Sequence, residues 1–241
     1  MLYLIGLGLE IEDLSIKAIN ALKNCEKVYV ENYTTKLPYS LKELESFLAK
    51  LLKKKINLEE EASRELVESS VLLNEARKRN IALLIYGDPL AATTHSALLL
   101  EAKKKKIKVE IIHAPSIITA IAETGLQLYK FGKVVSLPKW KENYKPSSFY
   151  EIIKENLKCK AHTLLLVDRN LKLKEALQEL LIASNKELEK KQILVVKLGK
   201  SRKILKGTLA ELKKVKIEEP YCIVIPAQLH FLEKELLELK A

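Results

Sequence analysis

Glycine, proline and cysteine are scarce in this chain. Seven glycines and seven prolines in 241 residues are too few for a linker-rich or disordered protein. The three cysteines, Cys25, Cys159 and Cys222, are far apart, so their spacing predicts no disulfide framework and no metal site. They fit a reducing compartment, and we expect a cytoplasmic protein. No apolar run approaches the roughly 18 residues of a membrane span, and the first residues lack the basic start of a signal peptide.

Arginine is also scarce, although the chain is basic. The formal net charge is +11, from 42 Lys plus Arg against 31 Asp plus Glu, and only five of the 42 are arginine. Recognition of phosphates and bases favours arginine. The lysine runs at 53–55 and 103–106 instead fall near the ends of predicted helices, where cations complement the helix dipole. We expect solvated helix ends and no dedicated nucleic-acid site, although a basic surface that steers the chain toward an acidic protein or a ribonucleoprotein stays open.

Strand and helix patterns alternate along the chain, which is typical of an α/β fold. In the first half, strands are predicted at 2–7, 27–31, 55–58, 81–86 and 108–112. Helices are predicted between them, including 13–24 and 62–78, with Asp13 as a cap and Ile16 facing inward. These elements predict an open, parallel, five-stranded sheet with helices on both faces. The second half carries strands at 134–137, 163–168, 193–198 and 221–225, and we expect a mixed sheet with helices. We place the domain boundary near Pro115, giving domains 1–114 and 115–241.

The stretch from Gly87 to His95, with the sequence GDPLAATTH, follows the apolar strand at 81–86 and precedes a predicted helix. Open α/β sheets bind their ligands in loops at this end of a strand. Gly87 permits close backbone approach, Asp88 offers a carboxylate, and Thr93 and Thr94 offer hydroxyls and a helix cap. The same residue types are ordinary turn formers. A ligand site and a capping turn without a ligand therefore both stay open.

Gly6 and Gly8 suggest a dinucleotide-binding fingerprint at first. The third glycine of that motif would fall at position 11, which is Ile11, so the motif is incomplete. The alternative is that the two glycines let the loop after the first strand approach a ligand or a neighbouring loop.

Several segments in series resemble the diphthine synthase family, which belongs to the tetrapyrrole-methylase-like class of S-adenosylmethionine-dependent methyltransferases. The GDP triplet occurs widely in that class, whereas ATTH, HAPSI and YKFGK in series are much more specific. The matching segments span nearly the whole chain: MLYLIGLGL at 1–9, ENYT at 31–34, GDPLAATTH at 87–95, HAPSI at 113–117, TGLQLYKFGK at 124–133, HTLLLVD at 162–168, and Pro226 with LH at 229–230.

The resemblance implies two α/β domains with S-adenosyl-L-methionine held in the cleft between them. It implies a homodimer that methylates the amino group of 3-amino-3-carboxypropyl-histidine on translation elongation factor 2. The products are then diphthine and S-adenosyl-L-homocysteine. Carried over residue by residue, it implies cofactor contacts at Leu9, Asp88, Ala91, Ser116, Ile117, Val167, Lys206 and His230.

The sequence singles out no general base. The chain lacks a Walker loop, a G-x-S-x-G motif and a His/Cys cluster with metal spacing, and each of its four histidines, taken alone, is more typical of a structural role. Methyl transfer from a sulfonium requires little acid–base machinery, because the methyl group is already activated and needs mainly alignment and exclusion of water. The catalytic residues therefore stay unknown at this stage.

The second half departs from the family pattern at three places: the segment after Asp168 is shorter, GKSR stands at 199–202, and the 140–144 region has a different spacing. The second half is expected to contact the methyl acceptor, so these departures bear on the identity of the acceptor more than on that of the methyl donor. A methyltransferase of the same class that acts on a tetrapyrrole or on ribosomal RNA stays open. From another class, a noncatalytic, basic nucleic-acid-binding protein stays open, although the scarcity of arginine disfavours it.

Overall fold

The computed structural model describes residues 1–61 and 70–239. The chain divides into two compact units, Met1–Ile118 and Thr119–Ala241, called here the first and the second unit. The domain boundary predicted from the sequence, between residues 114 and 115, lies close to this division and stays a prediction. In the part of the chain that the structure describes, no helix is long and apolar enough to cross a membrane.

The first unit is built on a parallel sheet of five strands. The strand order is β3-β2-β4-β1-β5, and every neighbouring pair is parallel, which confirms the predicted open parallel sheet. Its strands are β1 (Leu2–Gly6), β2 (Lys27–Glu31), β3 (Leu58–Glu61), β4 (Ile81–Ile85) and β5 (Val109–Ile112). The described helices are α1 (Ile16–Lys23), α2 (Leu41–Leu52), α3 (Ser70–Lys78), α4 (Ser96–Lys104) and the short α5 (Ile117–Ala120).

Helices cover both faces of this sheet, as the sequence predicts. β4 is buried along its whole length, which explains its continuous apolar run. Ala82 and Leu84 belong to the core formed with α1 and α2. Ile81, Leu83 and Ile85 belong to the core formed with α3 and α4. Successive side chains of a strand point to opposite faces, so one short strand contributes to both cores.

The start of α1 differs from the prediction. The cap is Ser15, whose hydroxyl accepts a hydrogen bond from the Ala18 N–H at 3.1 Å, and the prediction that Asp13 caps this helix is wrong. The buried side of α1 consists of Ala18, Ala21 and Leu22. Ile16 lies two residues before Ala18, which is about 200° around a helix with about 100° per residue. It is therefore 78% exposed, and the prediction that it faces inward is also wrong.

Two other predictions concern β3 and the segment after it. β3 lies at Leu58–Glu61 rather than at 55–58, because its pairing with β2 places Leu58 opposite Val28. The helix predicted over 62–78 falls partly outside the described residues, and α3 is described from Ser70. Basic residues occupy the last turn of α4, at Lys103 and Lys104, in agreement with the predicted placement of lysine runs at helix ends.

The second unit contains a mixed sheet, as predicted. The strand order is β6-β7-β10-β8-β9; β6 and β7 are parallel, and the other neighbouring pairs are antiparallel. The strands are β6 (Val135–Leu137), β7 (Thr163–Val167), β8 (Ile193–Lys197), β9 (Lys203–Gly207) and β10 (Cys222–Ile225). The helices are α6 (Ser148–Lys158), α7 (Leu173–Ala183), α8 (Leu209–Leu212) and α9 (Phe231–Leu239). The edge strand β9 was not predicted from the sequence.

Candidate functional site

The loops that follow β1 and β4 are joined at the carboxyl edge of the first unit's sheet. The Gly8 N–H donates to the Gly87 carbonyl oxygen at 3.2 Å, and the Gly87 N–H donates to the Gly8 oxygen at 2.9 Å. A β-carbon on Gly6 would lie 2.6 Å from the Gly87 oxygen and 2.7 Å from the Ala114 β-carbon. Only glycine permits this approach. Gly6 and Gly8 therefore bring neighbouring loops together, which is one of the roles that the sequence left open.

Asp88 ties the loop after β4 to the loop after β5. Its Oδ1 accepts a hydrogen bond from the Leu90 N–H at 3.0 Å. Its Oδ2 accepts from His113 Nδ1 at 2.7 Å and from the Ala114 N–H at 3.3 Å. Burial opposes ionisation of this carboxyl, but these hydrogen bonds outweigh burial and lower its pKa. Asp88 is thus an ionised carboxylate held between two loops, while the His113 side chain is 68% exposed.

Leu9 is buried in the loop after β1. Its N–H donates to Asp13 Oδ2 at 2.8 Å, and its carbonyl oxygen accepts a hydrogen bond from the Tyr86 hydroxyl at 3.4 Å. Asp13 therefore orders this loop, a role that the sequence analysis missed when it assigned Asp13 to the cap of α1.

The other candidate residues of the first unit lie in the same loops. The Ala91 N–H donates to the Asp88 carbonyl oxygen at 3.3 Å. Ser116 is buried, and a β-carbon on Gly87 would lie 3.7 Å from the Ser116 β-carbon. Ile117 begins α5 directly after Ser116. The first unit thus places all five of its candidates in three loops at one edge of the sheet.

The loop after β2 joins the same edge. Glu31 is 2% exposed and accepts hydrogen bonds from the N–H groups of Tyr33 at 2.7 Å and Thr34 at 2.6 Å. The Tyr33 hydroxyl lies 3.1 Å from Thr94 Oγ1, and its ring meets the His95 ring edge-on. The ENYT and ATTH segments are therefore in direct contact.

The threonines of the ATTH segment do not cap α4, so that prediction is wrong. The cap position is His95, which makes no side-chain capping hydrogen bond. Thr93 Oγ1 donates to the Pro89 carbonyl oxygen at 2.7 Å, and His95 Nδ1 lies 3.1 Å from the same oxygen. These side chains fold the loop back on itself instead.

In the second unit, Val167 and His230 lie near opposite ends of β7. Val167 is the last residue of β7. His230 follows β10, which runs antiparallel to β7 with Ile225 opposite Thr163. The start and end of β7 are about 13 Å apart, at about 3.3 Å for each of four steps. The second unit, taken by itself, does not bring Val167 and His230 together.

Lys206 is an exposed residue of the edge strand β9. It is opposite Leu194 of β8, which is itself opposite Val224 of β10. Lys206 is therefore level with the end of β10 that leads to His230, but two strands away from it.

A buried carboxylate lies next to His230. Glu233, the third residue of α9, is fully buried. Burial alone would raise its pKa, but the hydrogen bonds it receives lower the pKa to about 2. It accepts hydrogen bonds from Lys130 Nζ at 2.5 Å, the His230 N–H at 2.7 Å, the Gln127 N–H at 2.9 Å and His162 Nε2 at 3.1 Å. Glu233 was not among the residues predicted from the sequence. The available signal was its spacing from His230, since a glutamate three residues after a cap position commonly accepts the cap residue's N–H.

His162 is fully buried beside Glu233. Its Nδ1 accepts a hydrogen bond from the Ala227 N–H at 2.9 Å, so its proton is on Nε2, which donates to Glu233. Burial lowers the His162 pKa even though Glu233 opposes this shift. His162 is therefore a neutral structural histidine with one fixed tautomer.

Comparison with known proteins identifies the class. Residues 1–213 match the family model described as Tetrapyrrole (Corrin/Porphyrin) Methylases. The chain belongs to this methyltransferase family.

Similar proteins within that family are named diphthine synthase or diphthine methyl ester synthase. The diphthine synthase of Methanocaldococcus jannaschii is 40% identical over 257 residues, which cover 99% of this chain and 98% of the relative. The diphthine methyl ester synthase of Saccharomyces cerevisiae is 38% identical over 271 residues, with coverages of 98% and 88%. A crystal structure of a diphthine synthase superposes with a TM-score of 0.89 at 33% identity, covering 100% of this chain and 95% of the other. These matches confirm the family predicted from the motifs.

Proposed function

We propose that the chain transfers methyl groups from S-adenosyl-L-methionine to the amino group of 3-amino-3-carboxypropyl-histidine on translation elongation factor 2. The products are diphthine and S-adenosyl-L-homocysteine. The observation that carries this proposal is the nearly full-length similarity to the archaeal diphthine synthase. The proposed form is a homodimer in the cytoplasm.

The loops of the first unit fit the methyl donor chemically. Asp88 is held ionised, and a carboxylate attracts the positive groups of this donor. Leu9, Ala91 and Ile117 supply apolar side chains and backbone groups in the adjoining loops, and Ser116 supplies a hydroxyl. We assign the remaining donor contacts to Val167, Lys206 and His230 by resemblance to the family.

The donor brings an already activated methyl group, so the protein has to align the reacting atoms and exclude water. Asp88 contributes by joining two loops through its hydrogen bonds to Leu90, His113 and Ala114. Such preorganisation reduces the entropic cost of binding. The acceptor amine must be unprotonated to attack, and we assign no side chain as its base.

The test is a transfer assay with labelled S-adenosyl-L-methionine. The acceptor is elongation factor 2 that carries the aminocarboxypropyl histidine, and the unmodified factor is the control. We expect label on the modified factor alone, and mass spectrometry then counts the methyl groups. The methyl ester named for the yeast relative carries one more methyl group than the diphthine named for the archaeal relative, so the count distinguishes the two products.

Donor binding without transfer to the factor would contradict the proposed acceptor. The same assay with ribosomal RNA and with tetrapyrroles then tests the other acceptors of this class. Binding to RNA would weaken steeply as the salt concentration rises.

A further inference from the structure

Glu233 links three chain segments that are far apart in the sequence. Gln127 and Lys130 come from the TGLQLYKFGK segment, His162 begins the HTLLLVD segment, and His230 ends the segment after β10. All three segments are among those that resemble the family, whereas Glu233 itself lies outside every motif. The segments therefore share one buried acceptor.

We propose that Glu233 is a positioning residue of the methyl-transfer site. It holds His230 and residues 127–130 in a preformed arrangement without itself contacting the donor or the acceptor. This inference rests on the proposed function, because it concerns the same reaction.

The chemistry of the cluster requires an ionised carboxylate. Each of the four groups that approach Glu233 is a hydrogen-bond donor, and an ionised carboxylate is the side chain that accepts without donating. Two of the donors, Lys130 and His162, use side chains, and the ammonium of Lys130 compensates the buried negative charge. Glu233 and His162 are both fully buried, so solvent does not reach the hydrogen bond between them. A glutamine has the same shape, but it would direct N–H groups toward donors.

His230 is the first residue that Glu233 positions. Its backbone N–H is bound to Glu233, while its side chain is exposed. The ring contacts Phe231 at a centroid distance of 4.3 Å, and its Nδ1 accepts a hydrogen bond from the Leu232 N–H at 3.4 Å. The ring is thereby oriented with Nε2 as its remaining polar atom, which is available to a ligand.

The segment 127–130 is the second element that Glu233 positions. Lys130 Nζ reaches both Glu233 and the Gln228 carbonyl oxygen, the latter at 3.0 Å. Between the two anchored residues, Tyr129 is 81% exposed, and its hydroxyl donates to Gln127 Oε1 at 2.6 Å. The carboxylate thus fixes the base of a short segment that presents a tyrosine to solvent.

The experiment compares Glu233→Gln with Glu235→Gln, a control at an exposed position of the same helix. Calorimetry measures the Kd for S-adenosyl-L-methionine, and the transfer assay gives kcat and KM for the modified elongation factor. For Glu233→Gln we expect a Kd at least tenfold higher and a kcat/KM at least tenfold lower than for the parent. For Glu235→Gln we expect both values within twofold of the parent.

A double-variant cycle distinguishes positioning from general destabilisation. If Glu233 acts through His230, adding Glu233→Gln to His230→Ala raises the donor Kd by less than twofold beyond His230→Ala alone. Losses that multiply would overturn the positioning of His230 by Glu233, and a folded Glu233→Gln variant that matches the parent would overturn the positioning role as a whole. If Glu233→Gln does not fold, Lys130→Gln removes the charged partner but leaves the carboxylate. It should then raise the donor Kd by at least threefold, and parent-like binding would overturn the proposal.

Measurements on the parent protein distinguish a failure of the proposed function from a failure of the positioning role of Glu233. A parent that neither binds the donor nor transfers methyl groups overturns the proposed function and this inference with it. A parent that does both, beside a Glu233→Gln variant with equal values, overturns the positioning role alone.

Discussion

Asp88 in the first unit and Glu233 in the second unit are both carboxylates that join chain segments and accept a hydrogen bond from a histidine. Asp88 receives its hydrogen bonds from residues near the sheet edge, and its partner His113 is 68% exposed. Glu233 and its partner His162 are both fully buried. Solvent can therefore compensate lost hydrogen bonds more readily at Asp88 than at Glu233. Two similar-looking pairs should therefore differ in how much stability they provide.

The two sheets differ in a related way. In the parallel sheet of the first unit, every strand ends at the same edge, so candidates that are distant in sequence come together there. In the mixed sheet of the second unit, antiparallel β7 and β10 send Val167 and His230 to opposite ends. In the second unit, the segments near His230 are instead ordered by their hydrogen bonds to Glu233.

The largest loss of stability is expected for Glu233→Ala. It leaves the buried His162 side-chain donor, the partly buried Lys130 ammonium and two backbone N–H groups without this acceptor. Removing one partner of a buried ionic cluster costs about 3–5 kcal/mol. Urea denaturation followed by circular dichroism measures the free energy of unfolding, with Glu235→Ala as the control. A loss no larger than that of the control would contradict the difference between the two carboxylates.

A smaller effect is expected for Asp88→Ala. Its partners lie closer to solvent, so the stability loss should be about 1–3 kcal/mol, while the Kd for S-adenosyl-L-methionine should rise. Asp88→Asn keeps an acceptor for the Leu90 N–H but removes the charge, which separates the two contributions. His113→Ala removes only an exposed partner and should cost less than about 1 kcal/mol. Unchanged donor affinity in a folded Asp88→Ala variant would remove Asp88 from the site.

The smallest effect concerns pH and His162. Burial lowers the pKa of His162 below the ordinary 6.5 while Glu233, Lys130 and Lys191 surround it. As the pH falls through about 6.5, the unfolded chain binds a proton that the folded chain does not, so the free energy of unfolding decreases. Asp88 and Glu233 are among the carboxylates whose pKa is lowered, and they lose their contribution to stability only below about pH 4.5.

The measurement is the Tm between neutral pH and about pH 5 for the parent and for His162→Gln. The variant should be less stable at neutral pH, but its Tm should change less across this range. Equal pH dependence in the two proteins would show that His162 does not titrate in the expected window.

Local sequence patterns were sufficient to predict the strands whose side chains are buried. The run in β4 is apolar throughout, and the run in β8 is apolar up to its last residue, Lys197; both strands were predicted within a residue or two of their observed bounds. β9 was not predicted because its sequence, KILKG, belongs to an edge strand that is only partly buried and carries two exposed lysines. The predicted position of β3 was wrong because three of its four residues are glutamates, which are uncommon in strands. Only its pairing with β2 identifies it as a strand.

The motifs located the loops of the first unit, but they did not reveal what holds those loops together. Asp88 meets His113 across 25 positions of the sequence, and Glu233 meets Gln127 across 106. No periodicity within a local window contains such partners. They follow from the strand order, which brings loops together that are separated by whole helices.

The reciprocal hydrogen bonds between Gly8 and Gly87 have a consequence for local opening. They form an isolated antiparallel bridge just beyond the ends of the parallel strands β1 and β4. The amide hydrogens of these two glycines can exchange with solvent only when that bridge separates. The loops that carry Leu9 and Asp88 are thus expected to open together with the central strands rather than to fray independently.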